Sequence, residues 1–252
     1  MTAALQAEWT KLRTVRSTPW SLALVLLVTV GLGAFVCSLN QTEGGGGDDD
    51  IVALSLAGAY FGQLAAAALG VFAIAAEHST GTIRATLAAN PRRGQVLGAK
   101  VALVGALVLA AGLVATVGAF LVAQPILHGN GYTAANGYDV ASLAEGPALR
   151  SVVNVAVYMA LIGLLSLGVG AIVRHSAGAM AIVFTLLFGP FVVAAMLPES
   201  TWRAMMGHAP TAGLSGQEHG APSSPWTGLV VTGLWAAGAL LIALWLMRRR
   251  DA

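Results

Sequence analysis

A chain of 252 residues that is 57% hydrophobic and 10% charged, with mean hydropathy +0.77, departs from the soluble norm of about a quarter charged residues. Its formal net charge of +2 says little about partners, and its single cysteine, Cys37, excludes an intramolecular disulfide and a cysteine metal cage. Its uncharged runs have the length of about 20 residues that a helix needs to cross a bilayer core about 30 Å thick, and they lack the alternation of transmembrane barrel strands. The expected fold is all-α: a polytopic membrane protein with six spans, forming a single transmembrane domain over residues 1–252.

The chain opens on "MTAALQAEWTKLRTVRS", residues 1–17, where Leu5, Trp9, Leu12 and Arg16 recur at three- and four-residue steps, with Gln6 and Arg13 on one flank and Lys11 on another. That spacing predicts an amphipathic helix at the cytoplasmic interface, with Trp9 at headgroup level, Lys11 and Arg13 toward anionic lipid and Leu12 on the apolar face. A plain positive-inside anchor is the alternative. Span one follows from Pro19 to Leu39; it is too long for the apolar core of a signal peptide, and no small-residue cleavage site closes it before "NQTEGGGGDDD". Cys37 is expected to pack there as a small hydrophobe, and the Gly- and Asp-rich piece reads as a flexible external turn.

Span two, Ile51 to Ala76, carries Tyr60, Gln63 and a Gly58-x-x-x-Gly62 step suited to close helix approach. The connection after it reads "EHSTGTIRATLAANPRRGQVLGAK", from Glu77 to Lys100. Within residues 77–95, Thr80 or Thr82 can cap a short helix, Ile83 and Leu87 give it one apolar stripe, Asn90 and Pro91 stop it, and Arg92 and Arg93 follow its carbonyl end. A connector needs only about four to six residues, so a capped helix here suggests a docking surface; a charged loop that fixes topology is the alternative.

Span three, Val96 to Ala123, has Lys100 near its start and Gly105, Gly112 and Gly118 along it. Span four, Val152 to Val173, holds Asn154, Tyr158 and Ser166 with Gly163, Gly168 and Gly170; span five, Ala179 to Leu197, holds Thr185 and should kink or break at Gly189 and Pro190. Span six runs from Trp226 to Met247. Tyr60, Gln63, Asn154 and Tyr158 are candidates for lining a substrate pathway, against the alternative that each only makes interhelical hydrogen bonds. Residues 124–151 and 198–225 are expected to be external loops; in the second, Trp202, Met205 and Met206 suit a short interfacial or re-entrant helix.

Of thirteen Lys and Arg residues, all but Arg150 and Arg203 fall on one side of these spans, and the other side holds Glu43, Asp48, Asp49, Asp50, Asp139, Glu145, Glu199 and Glu218. Both termini are therefore expected in the cytoplasm. Five of the six spans lack ionisable residues, which argues against an ion-coupled carrier.

Catalytic chemistry is mostly missing. "GQVLGAK" has neither the spacing nor the hydroxyl of a phosphate-binding loop, no His-Glu-x-x-His helix occurs, and His208, Glu218 and His219 lie in a loop where solvation is the ordinary fate. "GLSG" at 213–216 is similar to the Gly-x-Ser-Gly of six-helix rhomboid proteases, but Ser215 sits in an expected external loop and no later span carries a histidine base. No catalytic residue and no metal ligand is assigned.

Two segments carry a family resemblance. "AEHSTGTIRATLAANPRRGQVLGAK", Ala76 to Lys100, is similar to the Glu-x-x-x-Gly-Thr stretch with trailing basic residues that follows the second span of ABC-2 type permeases of ATP-binding-cassette exporters; "EWTKLRTVRSTPW", Glu8 to Trp20, resembles their N-terminal interface helix. The layout of six spans with both ends inside is also theirs. The resemblance implies a bacterial cytoplasmic-membrane subunit that pairs with a second permease subunit, as homodimer or heterodimer. Separate ATPase subunits, which hold ATP and Mg, would drive it, with no cofactor in this chain and no nucleic acid partner. It places Glu77, Gly81, Thr82, Ile83 and Arg84 at the ATPase-coupling motif, extended by Leu87, Arg92 and Arg93, and Trp9, Lys11, Leu12 and Arg13 on the interface helix. A non-pumping immunity or binding protein and an intramembrane serine protease are the competing functions.

Overall fold

The computed structural model describes residues 2–14, 17–42, 50–79, 81–82, 93–138, 142–143, 146–194, 196, 198, 208–215 and 225–249. Among the described residues there are helices and turns and no strand: α1 (Thr2–Thr14), α2 (Ser17–Leu39), α3 (Ile51–Ser55), α4 (Ala59–Ser79), α5 (Arg93–Gly129), α6 (Gly146–Val173), α7 (Ser176–Ala194), α8 (Ala212–Ser215) and α9 (Pro225–Arg249), with a 3-10 turn at Ala134–Asn136. Six of them, α2, α4, α5, α6, α7 and α9, are long and apolar enough to cross a membrane, which makes this a multi-pass membrane protein with the expected all-α fold.

Helix α6 is the axis of the bundle. Its most apolar stretch is 78% buried, against 17% for α7 and 22% for α2 and for α9, so the first is a core helix and the others turn broad apolar faces outward, as lipid permits. Packed around α6 are α4, α5, α9 and α7, while α2 lies against α4 and α5. The α4–α6 contact depends on small residues: a Cβ at Gly70 would stand 2.1 Å from the carbonyl oxygen of Gly163. Backbones this close exchange dispersion contacts that larger side chains would forbid.

The expected second span is not continuous. Asp50 caps α3, its carboxylate accepting from the N–H groups of Val52 (2.9 Å) and Ala53 (3.1 Å), and a turn at 56–58 then separates α3 from α4. The break falls where α2 crosses: a Cβ at Gly58 would be 1.9 Å from the Thr29 carbonyl oxygen, and one at Gly62 would be 2.0 Å from the Thr29 hydroxyl. The Gly-x-x-x-Gly step thus makes its close approach, at the cost of one helical turn.

At the other end of this span, α4 runs on through Glu77 to Ser79, and α5 begins at Arg93, so the connection is residues 80–92, shorter than the expected 77–95. Gly81, left-handed at φ 71, donates its N–H to the His78 carbonyl (3.3 Å) and closes the turn after α4.

Helix α5 also outruns its expected end at Ala123. Its 37 residues reach about 55 Å, well beyond a bilayer core. Pro125 lies inside it, since one proline removes a single donor. The overhang is tied to α2: Asn130 Nδ2 donates to the carbonyls of Cys37 and Asn40, both at 2.9 Å, and the Thr42 N–H donates to the Asn130 carbonyl (3.1 Å). Thr42 Oγ1 also hydrogen-bonds the Tyr138 hydroxyl at 2.9 Å, and Cys37 is buried as expected.

Two further expectations are corrected. Of the kink or break expected at Gly189 and Pro190, the break is absent: helix α7 continues through both residues to Ala194, and only two residues, Arg174 and His175, join it to α6. Arg174 takes the left-handed conformation (φ 61) and donates its N–H to the Gly170 carbonyl (3.0 Å), while His175 Nδ1 accepts from the Gly178 N–H (3.3 Å).

Residues 209–214, expected in a solvated loop, are instead buried against α9 and α6. Thr232 Oγ1 donates to the Pro210 carbonyl (2.8 Å) and accepts from the Gly213 N–H (3.1 Å), and Trp235 Nε1 donates to the His208 carbonyl (3.0 Å). Trp235 lies about 15 Å along α9 from its first residue, so the segment re-enters the bundle. Trp202, Met205 and Met206, the expected re-entrant residues, lie outside the described residues, as do Glu218 and His219.

Candidate functional site

Two carboxylates and two ammonium groups meet at the α1 end of the bundle. Lys100 on α5 is 3% exposed and donates to Glu8 Oε2 (2.6 Å), Glu77 Oε1 (2.8 Å) and the Ala73 carbonyl (3.1 Å), which occupies its three hydrogens. Lys11 on α1 donates to Glu8 Oε1 (3.0 Å) and Glu77 Oε1 (3.1 Å). Glu8 is itself 3% exposed. An isolated charge would not stay ionised in such a place, but this set sums to zero and each ammonium bridges both carboxylates.

The cluster explains how α1 sits. The side of α1 turned to the protein is Leu5, Glu8, Lys11 and Leu12, at helical steps, while Trp9 and Arg13 are exposed. The expected stripe through Leu5, Trp9 and Leu12 is therefore rotated: burial follows the ion pairs, and Trp9 is left to the surroundings. Arg16 lies outside the described residues.

Burial depresses the Lys11 ammonium, and its hydrogen bonds to Glu8 and Glu77, together with their charges, more than offset that, holding it above the usual 10.5. Glu77 takes both lysines on one oxygen; its Oε2 is buried with no donor among the described residues.

The residues expected to couple to a partner fall partly here. Glu77 is in the cluster, Gly81 ends the turn after α4, and Thr82 is exposed with its hydroxyl 3.4 Å from the Glu77 carbonyl. Arg93, the first residue of α5, donates from its guanidinium to the carbonyl of Met247 near the end of α9. Ile83, Arg84, Leu87 and Arg92 lie outside the described residues. The connection is thus anchored on both flanks, to α1 and α5 through Glu77 and to α9 through Arg93.

The expected pathway residues form a second, interior group. The Tyr158 hydroxyl donates to Gln63 Oε1, Gln63 Nε2 donates to the Tyr60 carbonyl (2.8 Å), and the Tyr60 ring meets Phe191 edge-on at 6.0 Å. Gln63 and Tyr158 are fully buried; Asn154, 2% exposed, has no acceptor for its Nδ2 among the described residues. Gly213 presses on this group, since a Cβ there would lie 2.8 Å from the Tyr158 ring. Ser215 ends α8, so Gly213, Leu214 and Ser215 of the Gly-x-Ser-Gly look-alike lie on the re-entrant piece rather than in a free loop, and Gly216 lies outside the described residues.

Sequence reasoning missed Glu8 and gave Lys100 no role. The available signal was a lone carboxylate in a basic helix, paired with the one lysine inside an otherwise uncharged span. Among the described residues no group of three or more His, Cys, Asp or Glu could hold a metal ion. No protein-family model and no curated protein matches the chain.

Proposed function

We propose that this chain is the membrane subunit of an ATP-driven exporter of the ABC-2 permease type, moving a hydrophobic or amphipathic substrate out of the cytoplasm or inner leaflet of a bacterial cytoplasmic membrane. Separate ATPase chains supply ATP hydrolysis, and a second permease subunit completes the translocator. The observation that carries the reading is the double anchoring of the connection between α4 and α5. Through Glu77 and Arg93, a force applied to residues 80–92 reaches α1, α5 and α9 over short polar bonds. Such a joint suits a lever that switches packed helices between two arrangements. The resemblance of Ala76 to Lys100 to the coupling motif and the absence of a phosphate-binding loop support the same division of labour.

The test is capture of the ATPase encoded beside the gene by the detergent-solubilised chain, comparing wild type with Ile83→Asp, followed by ATP-dependent efflux from vesicles. Retention by wild type, loss in the variant and efflux that needs both chains are expected. Binding of a membrane-active compound without any ATP-dependent efflux would replace the exporter by a sequestering protein. ATP hydrolysis by the purified chain alone would also overturn it.

A further inference from the structure

Helices α7 and α9 both pack against α6 and leave a furrow between them, a partly open cavity of about 430 Å³, the size of a small-molecule pocket. Leu165, Val169 and Ile172 of α6 form its floor, Leu186 lines the α7 side, Gly238 and Ile242 line the α9 side, and no lining residue is ionisable. The one polar side-chain atom in the lining, Trp235 Nε1, already donates to the His208 carbonyl (3.0 Å). The furrow runs about 10 Å along α9, from Trp235 to Ile242. Trp226 and Trp245, both exposed, stand about 28 Å apart on that helix, which matches a hydrocarbon core of about 30 Å and puts them at its two boundaries. The furrow therefore lies in the leaflet on the Trp245 side.

Charge at that end is one-sided. On α6, α7, α9 and the link between α6 and α7, the described charged groups there are Arg174, Arg248 and Arg249, with His175 beside the first and no carboxylate among them. Arg93 adds a cation at the Met247 carbonyl, and the cluster of Glu8, Lys11, Glu77 and Lys100 sums to zero. Gly238, Ile242, Trp245 and Arg249 recur at three- and four-residue steps, so Arg249 stands in line with the furrow. Its guanidinium lies 4.4 Å from the centre of the Trp245 ring, a stacking that leaves its edge N–H groups turned outward.

We propose that this furrow binds one acyl chain of an anionic phospholipid, with the phosphate at the end that holds Arg174 and Arg249. The lining offers a chain dispersion contacts and asks for no polar partner. A second helix fits less well, because the branched floor holds a backbone away; where α6 and α9 do approach, α6 has Gly168, at which a Cβ would stand 2.8 Å from that of Ala239. The phosphate supplies the negative charge that this end lacks and paired oxygens for a guanidinium edge. The site requires only that the chain spans a membrane and exists whether or not it pumps.

The experiment uses the whole chain in phosphatidylcholine nanodiscs and two probes with the same diazirine-bearing acyl chain, a phosphatidylglycerol and a phosphatidylcholine. After irradiation, labelled positions are mapped by mass spectrometry. Labelling of residues 234–242 by the phosphatidylglycerol probe should saturate and be displaced by unlabelled phosphatidylglycerol. Gly238→Phe should abolish it by filling the furrow, whereas Gly233→Phe, equally without neighbours within 4 Å of the added Cβ but outside the lining, should leave it unchanged. Arg249→Gln, on the exposed end of α9 where no packing is disturbed, should weaken it about fivefold, the effect of one basic residue at an anionic lipid. Equal, non-saturable labelling by both probes is ordinary bilayer contact and overturns the proposal, as does labelling that survives Gly238→Phe or keeps its full affinity in Arg249→Gln. Disulfide-linked dimers of Gly238→Cys in a Cys37→Ala background would seat a second copy in the furrow and overturn it too.

Discussion

Lys100 holds together three helices that the sequence separates widely, and its removal should therefore cost more than a typical surface charge. Lys100→Met leaves the buried Glu8 and Glu77 with only the half-exposed Lys11 ammonium between them, a loss of up to about 3–5 kcal/mol by analogy with broken buried pairs. Thermal unfolding should show it, together with earlier proteolysis of α1. The exchange Glu8→Lys with Lys100→Glu should recover much of the loss, and an unchanged melting temperature in Lys100→Met would show that α1 is not docked through these charges. The pH dependence has a definite sign. Because the Lys11 ammonium is favoured in the folded state, its contribution is complete below about 10.5 and fades as pH rises through its raised value. Protection of the α1 amides, measured as the exchange rate relative to the intrinsic base-catalysed rate at each pH, should thus hold through neutral pH and fall only in strong alkali, and Lys11→Met should remove that alkaline fall. Glu8 was illegible beforehand because hydrophobic periodicity ranks apolar residues and treats a carboxylate as solvent-facing. Its burial depends on two ammonium groups, Lys11 one turn along and Lys100 on α5, 92 positions away, and the second could not be seen from the spacing of α1.

At the level of whole helices, the crossings are set by glycines whose neighbours are backbone. Gly70→Leu would push a side chain into the Gly163 carbonyl and force α4 from α6, an overpacking penalty of about 1–3 kcal/mol or more. Gly98→Ala, with nothing within 4 Å of the added methyl, should be neutral or stabilising by about 1 kcal/mol. Melting temperatures of the two variants should move in opposite senses, and equal shifts would refute crossing-limited packing. The six apolar helices were readable from run length alone, since hydrocarbon thickness sets that length whatever the neighbours are. Their ends were not. The break before α4 answers to Thr29 on another helix, and the extension of α5 past Pro125 answers to Asn130 and its bonds to α2, both tertiary facts. A re-entrant piece in residues 198–225 was expected at Trp202, Met205 and Met206; that residues 208–215 form one was hidden, because a short Gly- and Pro-containing stretch looks like solvent loop until Thr232 and Trp235 supply its partners.

For the whole molecule, the distribution of burial separates an enclosed interior from an exposed apolar rim. Helix α6 is enclosed, and α2 and α7 expose residues such as Leu27 (70%) and Val192 (61%). Under the exporter reading these rims are where a second subunit would pair. Single cysteines at Leu27 or Val192, in a Cys37→Ala background, should form disulfide-linked dimers in membranes. Cross-linking confined to α9 would place the pairing surface elsewhere. The length of α5 has a mechanical consequence of its own. A single helix of about 55 Å, with Arg93 and Lys100 at one end and Asn130 past the other, behaves as an oar. Rotating it by about 5° about its inner end sweeps the outer end through about 5 Å. Such a stroke would be felt first by α2, the helix to which the blade is lashed.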